Sequence, residues 1–478
     1  MSDNKIIAVD LDGTLTFTDT LHESVVLLIR NNPLKLFKLP FWLAKGKAAF
    51  KAKLADQVRL NVLTLPYNQP LIDWLKKERK KGKRIVLCSA TNEHIANAVA
   101  DHLKIFDDVI ASDASNNLKS TKKRNVLEKH FGKKGYDYAG NSSADIEVWV
   151  GARRAILVNT NNILNEKVKK ITTISQHFLP RNITFLDYLA TFRVHQWLKN
   201  LLLFVPLLVS HQIGNIQALS ILILAFLSFS LCASAVYIIN DLFDLESDRY
   251  HPRKRNRSFA SALLPIVVGA LIAPALIVAS LALGWMVGTK FLVCLISYFI
   301  LTTIYSMVLK RITLVDCLTL ATLYTARIIA GAAAVSITPS FWLLLFSIFI
   351  FLSLAFMKRY AELKVQIQDG NTQTHGRAYV FTDAPLVQTL GVTSGYSAVL
   401  VLALYLQSEI VMILYAQPLL TLFAVPLLLF WISRMWMESH KGKMHDDPII
   451  FAIKDKASLV VAILFLITFV LATTEIGS

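Results

Sequence analysis

The stretch NDLFDLESDRYHPRKR (240–255) follows the apolar run ILILAFLSFSLCASAVYII (221–239) without a break. Four acids and five bases crowd the end of a segment greasy enough to lie in lipid. Ionisable residues in that position are costly unless they serve a site. Asp241, Asp244 and Asp248 are spaced three and four apart. A helix carried past the membrane edge would project all three carboxylates from one face, where they repel unless a cation lies between them. Mg²⁺ is the natural cation, being hard and commonly shared with substrate phosphates. Asn240, Arg249, His251, Lys254 and Arg257 flank the acids, and bases beside Mg²⁺ suit a diphosphate. The bland alternative is a solvated helix end that marks the membrane boundary.

Outward from this point the chain divides. Residues 1–180 carry ordinary punctuation and many lysines, whereas 188–473 is mostly apolar runs long enough to cross a bilayer. At 54% hydrophobic over 478 residues, the whole is too apolar for an ordinary soluble enzyme. Nine spans are expected near 192–210, 216–239, 259–286, 290–308, 313–335, 340–357, 386–406, 411–433 and 457–473; Lys199 interrupts the first. With loops assigned alternately to two sides, Lys and Arg gather on the side of the soluble part, with Lys290 the exception. The positive-inside rule then makes the soluble part and N-terminus cytoplasmic and sends the C-terminus across a bacterial-type inner membrane. The net charge of +17 is mostly this bias, plus lysine-rich helices that suit anionic lipid. Nucleic-acid binding is not expected, since no fold for it appears. No signal peptide opens the chain, and the four cysteines lack disulfide or metal spacing.

NDxxDxxxDR after the second span resembles the first Asp-rich motif of UbiA-type membrane prenyltransferases. FRVHQWLKN (192–200), NDLFDLESDRYHPRKRNR (240–257), YSMVLKR (305–311), MKRYAEL (357–363), HGRAY (375–379) and GKMHDDPIIFAIKDKAS (442–458) narrow the likeness. They resemble the branch that transfers phosphoribose to a polyprenyl phosphate, over roughly 185–478. The resemblance implies nine helices and a Mg²⁺-bound diphosphate held by Asp241, Asp244 and Asp248. Ordinary members carry a second Asp-rich motif after the sixth span. Here that place reads FMKRYAELKVQ (356–366), offering Lys358, Arg359 and Glu362. A basic cluster for phosphate is better supported there than a second metal site.

The other intramembrane polar residues also point to a cavity. Lys199, Asn200, Tyr305, Lys310 and Arg327 are candidates, with Arg377 and Tyr379 added by the HGRAY likeness. Arg327 lines a cavity or pairs with Asp316; Lys310 is equally a positive-inside marker. His445, Asp446 and Asp447 form either a gate or a turn.

The N-terminal part opens with IIAVDLDGTLT (6–16), a β-branched strand ending in two aspartates, at the strand end where α/β folds place their chemistry. DLDGT resembles the first motif of haloacid dehalogenase (HAD) phosphatases. The resemblance makes Asp10 a nucleophile that forms an aspartyl-phosphate, Asp12 the acid/base and Thr14 a turn residue. RIVLCSATN (84–92) supplies Ser89 for the phosphoryl group. NLKSTKKRNVLEKHF (117–131) supplies Lys119 as the phosphate lysine, with Lys122 and Lys123 as rivals. YDYAGNSSADIEVW (136–149) supplies Asp145 near Mg²⁺, with Asn141 where the motif often has Asp. Residues 24–55, rich in Lys and large apolar side chains, read as a helical cap that suits a membrane surface or packs as an ordinary amphipathic cap.

The expected architecture is an α/β HAD-like Rossmannoid domain (1–175, cap about 20–70), a connection (176–187) and an all-α polytopic UbiA-like domain (188–478). The resemblances together imply Mg²⁺-dependent transfer of 5-phosphoribose from phosphoribosyl diphosphate to a polyprenyl phosphate, followed by removal of the 5-phosphate in the HAD domain. The alternatives are a prenyltransferase acting on an aromatic acceptor, and a HAD domain that serves only as a weak or regulatory module. The sequence leaves the oligomeric state open.

Overall fold

A computed structural model describes residues 5–113, 116–368, 379–444 and 447–473. The chain packs as two compact units, Met1–Phe192 with Tyr237–Ala273, and Arg193–Val236 with Pro274–Ser478.

The first unit is built on six parallel strands, β1 (Ile6–Val9), β2 (Arg84–Asn92), β3 (Asp108–Ser112), β4 (Tyr136–Gly140), β5 (Arg154–Val158) and β6 (Thr173–Phe178), in the order β3-β2-β1-β4-β5-β6. Strands covered on both faces read as continuous apolar runs, and IIAV and RAILV are such runs, with Ile7, Ala8, Val9 and Leu157 buried. Between β1 and β6 the chain forms eight α-helices: α1 (Thr20–Asn31), α2 (Leu39–Ala44), α3 (Lys47–Gln57), α4 (Gln69–Lys80), α5 (Glu93–Leu103), α6 (Thr121–Phe131), α7 (Ile146–Gly151) and α8 (Asn162–Lys169). Side chains of Asn68, Asn92 and Asn161 cap α4, α5 and α8, meeting amide donors that the first turn leaves orphaned. The chain leaves β1 toward β2 on one side and finds β4 on the other. That reversal opens a crevice at the carboxyl ends of β1 and β4, the place where such sheets bind ligands. Helices α1–α3 form the cap, closed around Leu28, Phe50, Leu54 and Val58.

The boundary read from the sequence follows chain order; packing groups the residues differently. The segment after the helix Ile216–Phe243 belongs to the first unit because it is tied there by specific bonds. Arg249 pairs with Glu23, Asn61 donates to Glu246, Arg181 donates to the Ser261 carbonyl, and Thr191 donates to Ser258.

The second unit is helical. Among the described residues eight helices are long and apolar enough to cross a membrane: Ile216–Phe243, Ile266–Val287, Thr289–Arg311, Val315–Ala334, Phe341–Val365, Phe381–Leu406, Pro418–His440 and Lys456–Thr473. Eight of the nine expected spans are thus found as long apolar helices. The stretch near 192–210 is instead a 3₁₀ segment, Val194–Phe204, joined to a short α-helix, Val205–Val209. Arg193 before it is left-handed. Lys199 and Asn200 are buried within it, and Pro206 follows, so regular α-helical pairing gives way to polar anchoring. Leu203, Leu207, Phe229, Phe291 and Leu295 form one core of this unit. Gly331 lies against the backbone of Leu203, where a Cβ would come within 2.0 Å of its carbonyl oxygen.

Candidate functional sites

The DLDGT turn after β1 floors the first site. Asp10 Oδ1 accepts from the Leu11 amide at 2.9 Å and lies 3.0 Å from Lys123 Nζ. Lys123 reaches this point from α6, is 3% exposed, and also meets the Tyr138 hydroxyl at 2.9 Å and Asp145 at 3.9 Å. The lysine facing Asp10 is therefore Lys123; Lys119, expected from sequence, lines the cavity instead. The helical register of α6 decided this, and three nearby lysines in the sequence could not.

Asp12 accepts from the Thr20 amide at 2.8 Å and from the Thr91 hydroxyl at 2.5 Å. Ser89, buried at the end of β2, lines the cavity and accepts from the Thr91 amide at 3.1 Å. Thr14 is buried with its hydroxyl unpartnered, so it does not brace the turn as expected. Thr16 does, bonding the Leu11 and Thr18 carbonyls. Gly13 has φ +72°, and a Cβ there would collide with the Asn141 side chain at 2.1 Å. Glycine thus lets Asn141 approach the turn.

Burial pushes the Asp10 carboxyl up to about 6 even though Lys123 pulls it down, and Asp145 and Asp12 add to the rise. Asp12 is also raised, by burial first and then by Asp19. Lys51, on α3, donates to the Ala90 carbonyl at 2.6 Å and faces this cavity; burial lowers it against the pull of Asp12, Asp19 and Asp10. Sequence reading missed Lys51 and Thr91, since nothing local marks a cap lysine as inward-facing. The cavity, about 380 Å³, is also walled by Leu264, Pro265, Ile266 and Val267, where a membrane helix begins.

The donors suit Mg²⁺ in kind, all being oxygens. Asp145 accepts from Tyr138, Ser142 and the Asn141 amide, and with Asp10 and Asn141 it lines the cavity where a cation would sit. No group of three acidic, His or Cys side chains converges for a metal among the described residues.

The second site is the Asp-rich stretch. The helix does not continue as expected; it breaks at Asp244 and resumes as Leu245–Tyr250. Asp241 and Asp248 are both buried and share Arg257, whose Nη1 lies 3.1 and 2.6 Å from them. A guanidinium thus does part of the neutralising expected of a metal, and the oxygen donors suit Mg²⁺ where Arg257 gives way. Burial raises Asp248, with Arg257 acting against it. Asn240 sits half-buried beside Asp241, and Lys254 lies in a short 3₁₀ turn. Arg249, expected at a substrate, is instead turned onto Glu23 at 2.5 and 3.1 Å and onto the Ala260 carbonyl.

In the second unit Lys199 and Lys358 converge on Asp447, Nζ to Oδ2, at 2.7 and 3.0 Å. Burial would raise Asp447, but the two lysines outweigh it and hold the carboxyl well below its usual range. Arg327 does not pair with Asp316. It bonds Asn200 Oδ1 at 2.9 Å, the Tyr298 hydroxyl at 2.7 Å and the Leu323 carbonyl. Asp316 is fully buried and held by Arg359 at 2.5 Å and Tyr379 at 2.6 Å. Arg359 also meets Glu362 and Tyr305. Arg359 and Tyr379 therefore bind protein groups rather than presenting free donors. Lys310 sits half-buried in the 3₁₀ turn Leu309–Arg311. Arg377, His445 and Asp446 lie outside the described residues.

The chain thus joins apolar helices long enough to cross a membrane to an Asp-rich stretch at the end of one of them. The model of the UbiA prenyltransferase family matches residues 202–453, and the chain belongs to that family. The uncharacterized protein y4nM of Sinorhizobium fredii is 34% identical over 97% of this chain and 90% of its own. Nodulation protein NoeC of Azorhizobium caulinodans is 36% identical over 58% of this chain and 90% of its own. Decaprenyl-phosphate phosphoribosyltransferase of Mycobacterium tuberculosis is 35% identical over 42% of this chain and 68% of its own. A UbiA homolog from Archaeoglobus fulgidus solved with DMAPP and Mg²⁺ is 17% identical, covering 60% of this chain and 99% of that one, at TM-score 0.46. A substrate-bound phosphoserine phosphatase is 16% identical, covering 37% of this chain and 94% of that one, at TM-score 0.29. The N-terminal part carries DLDGT at its switch point with Lys123 facing Asp10, and the chain joins this α/β part to UbiA-family helices in an integral membrane protein.

Proposed function

We propose that this chain is a bifunctional, Mg²⁺-dependent enzyme. It moves 5-phosphoribose from phosphoribosyl diphosphate to a polyprenyl phosphate, and its HAD part then removes the 5-phosphate. The observation that carries the first half is the 35% identity to decaprenyl-phosphate phosphoribosyltransferase. Lys358 and Arg359 in the helix Phe341–Gln368, where no DxxxD occurs, agree with it.

In the transfer, a lipid phosphate oxygen forms a bond to the anomeric carbon as the bond to diphosphate breaks, and pyrophosphate leaves with both electrons. The nucleophile is already anionic, so no strong base is required. Asp241, Asp244 and Asp248 are assigned to Mg²⁺-diphosphate, with Arg257, Lys254 and Asn240 beside them. Mg²⁺, when bound, supplies charge neutralisation on the leaving group. Lys199 and Lys358 are assigned to a phosphate, for which the Asp447 carboxylate now stands in.

In the HAD part, Asp10 attacks the phosphomonoester and forms an aspartyl-phosphate. Asp12 gives a proton to the departing ribose oxygen and later takes one from the hydrolytic water; burial, which raises its carboxyl, favours the neutral form that this role uses. Lys123 holds charge at Asp10 throughout. Ser89, Lys119 and Lys51 face the same cavity and are assigned to the phosphate and its neighbouring groups. A cavity walled by the first residues of a membrane helix suits a lipid-borne phosphate.

We also place the HAD part and the 244–265 loop on the cytoplasmic face, by their basic residues. Since both pack in one unit and Ile216–Phe243 is a single span, the chain must cross between them. The 3₁₀ rise of about 2.0 Å per residue lets Val194–Val209 cover roughly 30 Å, a bilayer core.

The test is purified protein with Mg²⁺, a polyprenyl phosphate and radiolabelled phosphoribosyl diphosphate. Lipid-extractable label that vanishes in Asp241→Ala supports transfer, and a label shift lost in Asp10→Asn supports the phosphatase step. Turnover of a prenyl diphosphate with an aromatic acid, and no lipid label, would overturn both.

A further inference from the structure

The connection between α1 and α3 carries a group of exposed apolar side chains. In the 3₁₀ segment Pro33–Lys38 and in α2 no residue is buried. Leu34 is 75% exposed, Phe37 72% and Phe41 73%, with Leu36 and Leu43 also exposed. Leu39 and Trp42 turn the other way and pack on the cap core, with Lys53 over the Trp42 ring. The two faces are thus sorted: one serves the fold and the other serves nothing within it. Contiguous apolar patches on soluble surfaces are rarely left bare. Lys35, Lys38, Lys45 and Lys47 interleave with this patch, and no acid occurs between residues 24 and 55.

A second observation says what covers it. The helix α1, which leads directly into this segment, packs against the last turn of a membrane span. Glu23, Val26, Leu27 and Arg30 share a groove with Leu242, Phe243 and Arg249, and the Glu23–Arg249 pair fixes the contact. The cap is held where the apolar helix Ile216–Phe243 ends, so the membrane interface is the nearest large apolar surface.

We propose that the Pro33–Ala44 segment is a membrane-docking element that seats Leu34, Phe37 and Phe41 among the acyl chains of an anionic bilayer. The lysines meet the headgroups. Apolar insertion and lysine attraction are the two terms that bind interfacial helices; the exposed Leu34, Phe37 and Phe41 supply the first and the interleaved lysines, of which Lys35 also donates to Gln57, the second. The docking does not depend on which phosphate the enzyme handles.

The test uses the full-length protein in nanodiscs containing phosphatidylglycerol. A spin label is placed at Phe41→Cys, Leu34→Cys or, as an exposed control on α6, Lys129→Cys, with Cys88, Cys232, Cys294 and Cys317 replaced. The ratio of oxygen to nickel-chelate accessibility should be higher at Phe41→Cys and Leu34→Cys than at Lys129→Cys. It should fall when phosphatidylcholine replaces the anionic lipid. Ratios equal to the control at both cap sites would overturn the proposal. So would exclusion of both agents with dipolar broadening between labels, which would mean that a second copy covers the face.

Discussion

Arg249 holds Glu23 through both terminal guanidinium nitrogens, at 3.1 and 2.5 Å, and both side chains are buried. A residue of the Asp-rich stretch thereby grips a helix of the cap. Removing one partner of such a pair strands a buried charge, at a cost of about 3 kcal/mol. Glu23→Ala should lower thermal stability and, although Glu23 belongs to the cap, also lower phosphoribosyl transfer. The double variant Glu23→Ala, Arg249→Met should regain most of the stability. A double-mutant cycle with no coupling would show that the pair is incidental.

Arg257 separates two opposite effects. Because its Nη1 lies between Asp241 and Asp248, Arg257→Met should tighten Mg²⁺ binding measured by calorimetry. The same variant should lower kcat/KM for phosphoribosyl diphosphate by about 10- to 100-fold, the worth of one charge-assisted hydrogen bond. Weaker Mg²⁺ binding would mean that Arg257 organises the carboxylates rather than competing for them.

Lys123 and Lys119 should behave differently although only four residues separate them. Lys123→Met, which strips the cation from Asp10, should abolish hydrolysis of a phosphomonoester. Lys119→Met should raise KM and spare most of kcat. Comparable losses would place the phosphate nearer the cavity rim.

Asp10 gives a pH dependence. Its carboxyl is raised from 3.8 to about 6 in the folded protein, chiefly by burial. The stability linked to this group is complete below the unfolded value and lost as pH rises through about 6. In EDTA, Asp10→Asn should therefore melt above the parent protein at neutral pH, by an amount equivalent to roughly 3 kcal/mol. The gap should close as the pH falls toward 4. A gap independent of pH would refute the raised value.

Asp447 occupies the position between Lys199 and Lys358 with a carboxylate. If it stands where a lipid phosphate binds, Asp447→Asn should lower KM for polyprenyl phosphate by about tenfold, one lost competing charge interaction. Initial rates across lipid concentration decide this; a higher KM would make Asp447 the group that orients the lysines.

Much of this was legible in the chain. DLDGT after a β-branched run fixed both the strand and the crevice, and the apolar periods located eight spans. What was not legible were choices made by three-dimensional register. The sequence cannot say which of Lys119, Lys122 and Lys123 faces Asp10, because all three flank the start of one helix. Nor does it say that Arg249 and Arg359 are consumed by Glu23 and Asp316, since those partners are distant along the chain. The break at Asp244 was hidden because its neighbours continue a helical charge spacing. The 192–210 run read as an ordinary span because composition does not distinguish 3₁₀ from α pairing.

The wall formed by Leu264–Val267 has a consequence for inheritance. A pocket with one side borrowed from the head of a membrane helix cannot be released whole by cutting the connection at 176–187. A recombination event that separated the two reading-frame segments there would leave an open cavity on one piece and an uncovered loop on the other. The fusion is thus more than a convenience of co-expression: the pocket around Asp10 draws its walls from both sides of the 176–187 connection.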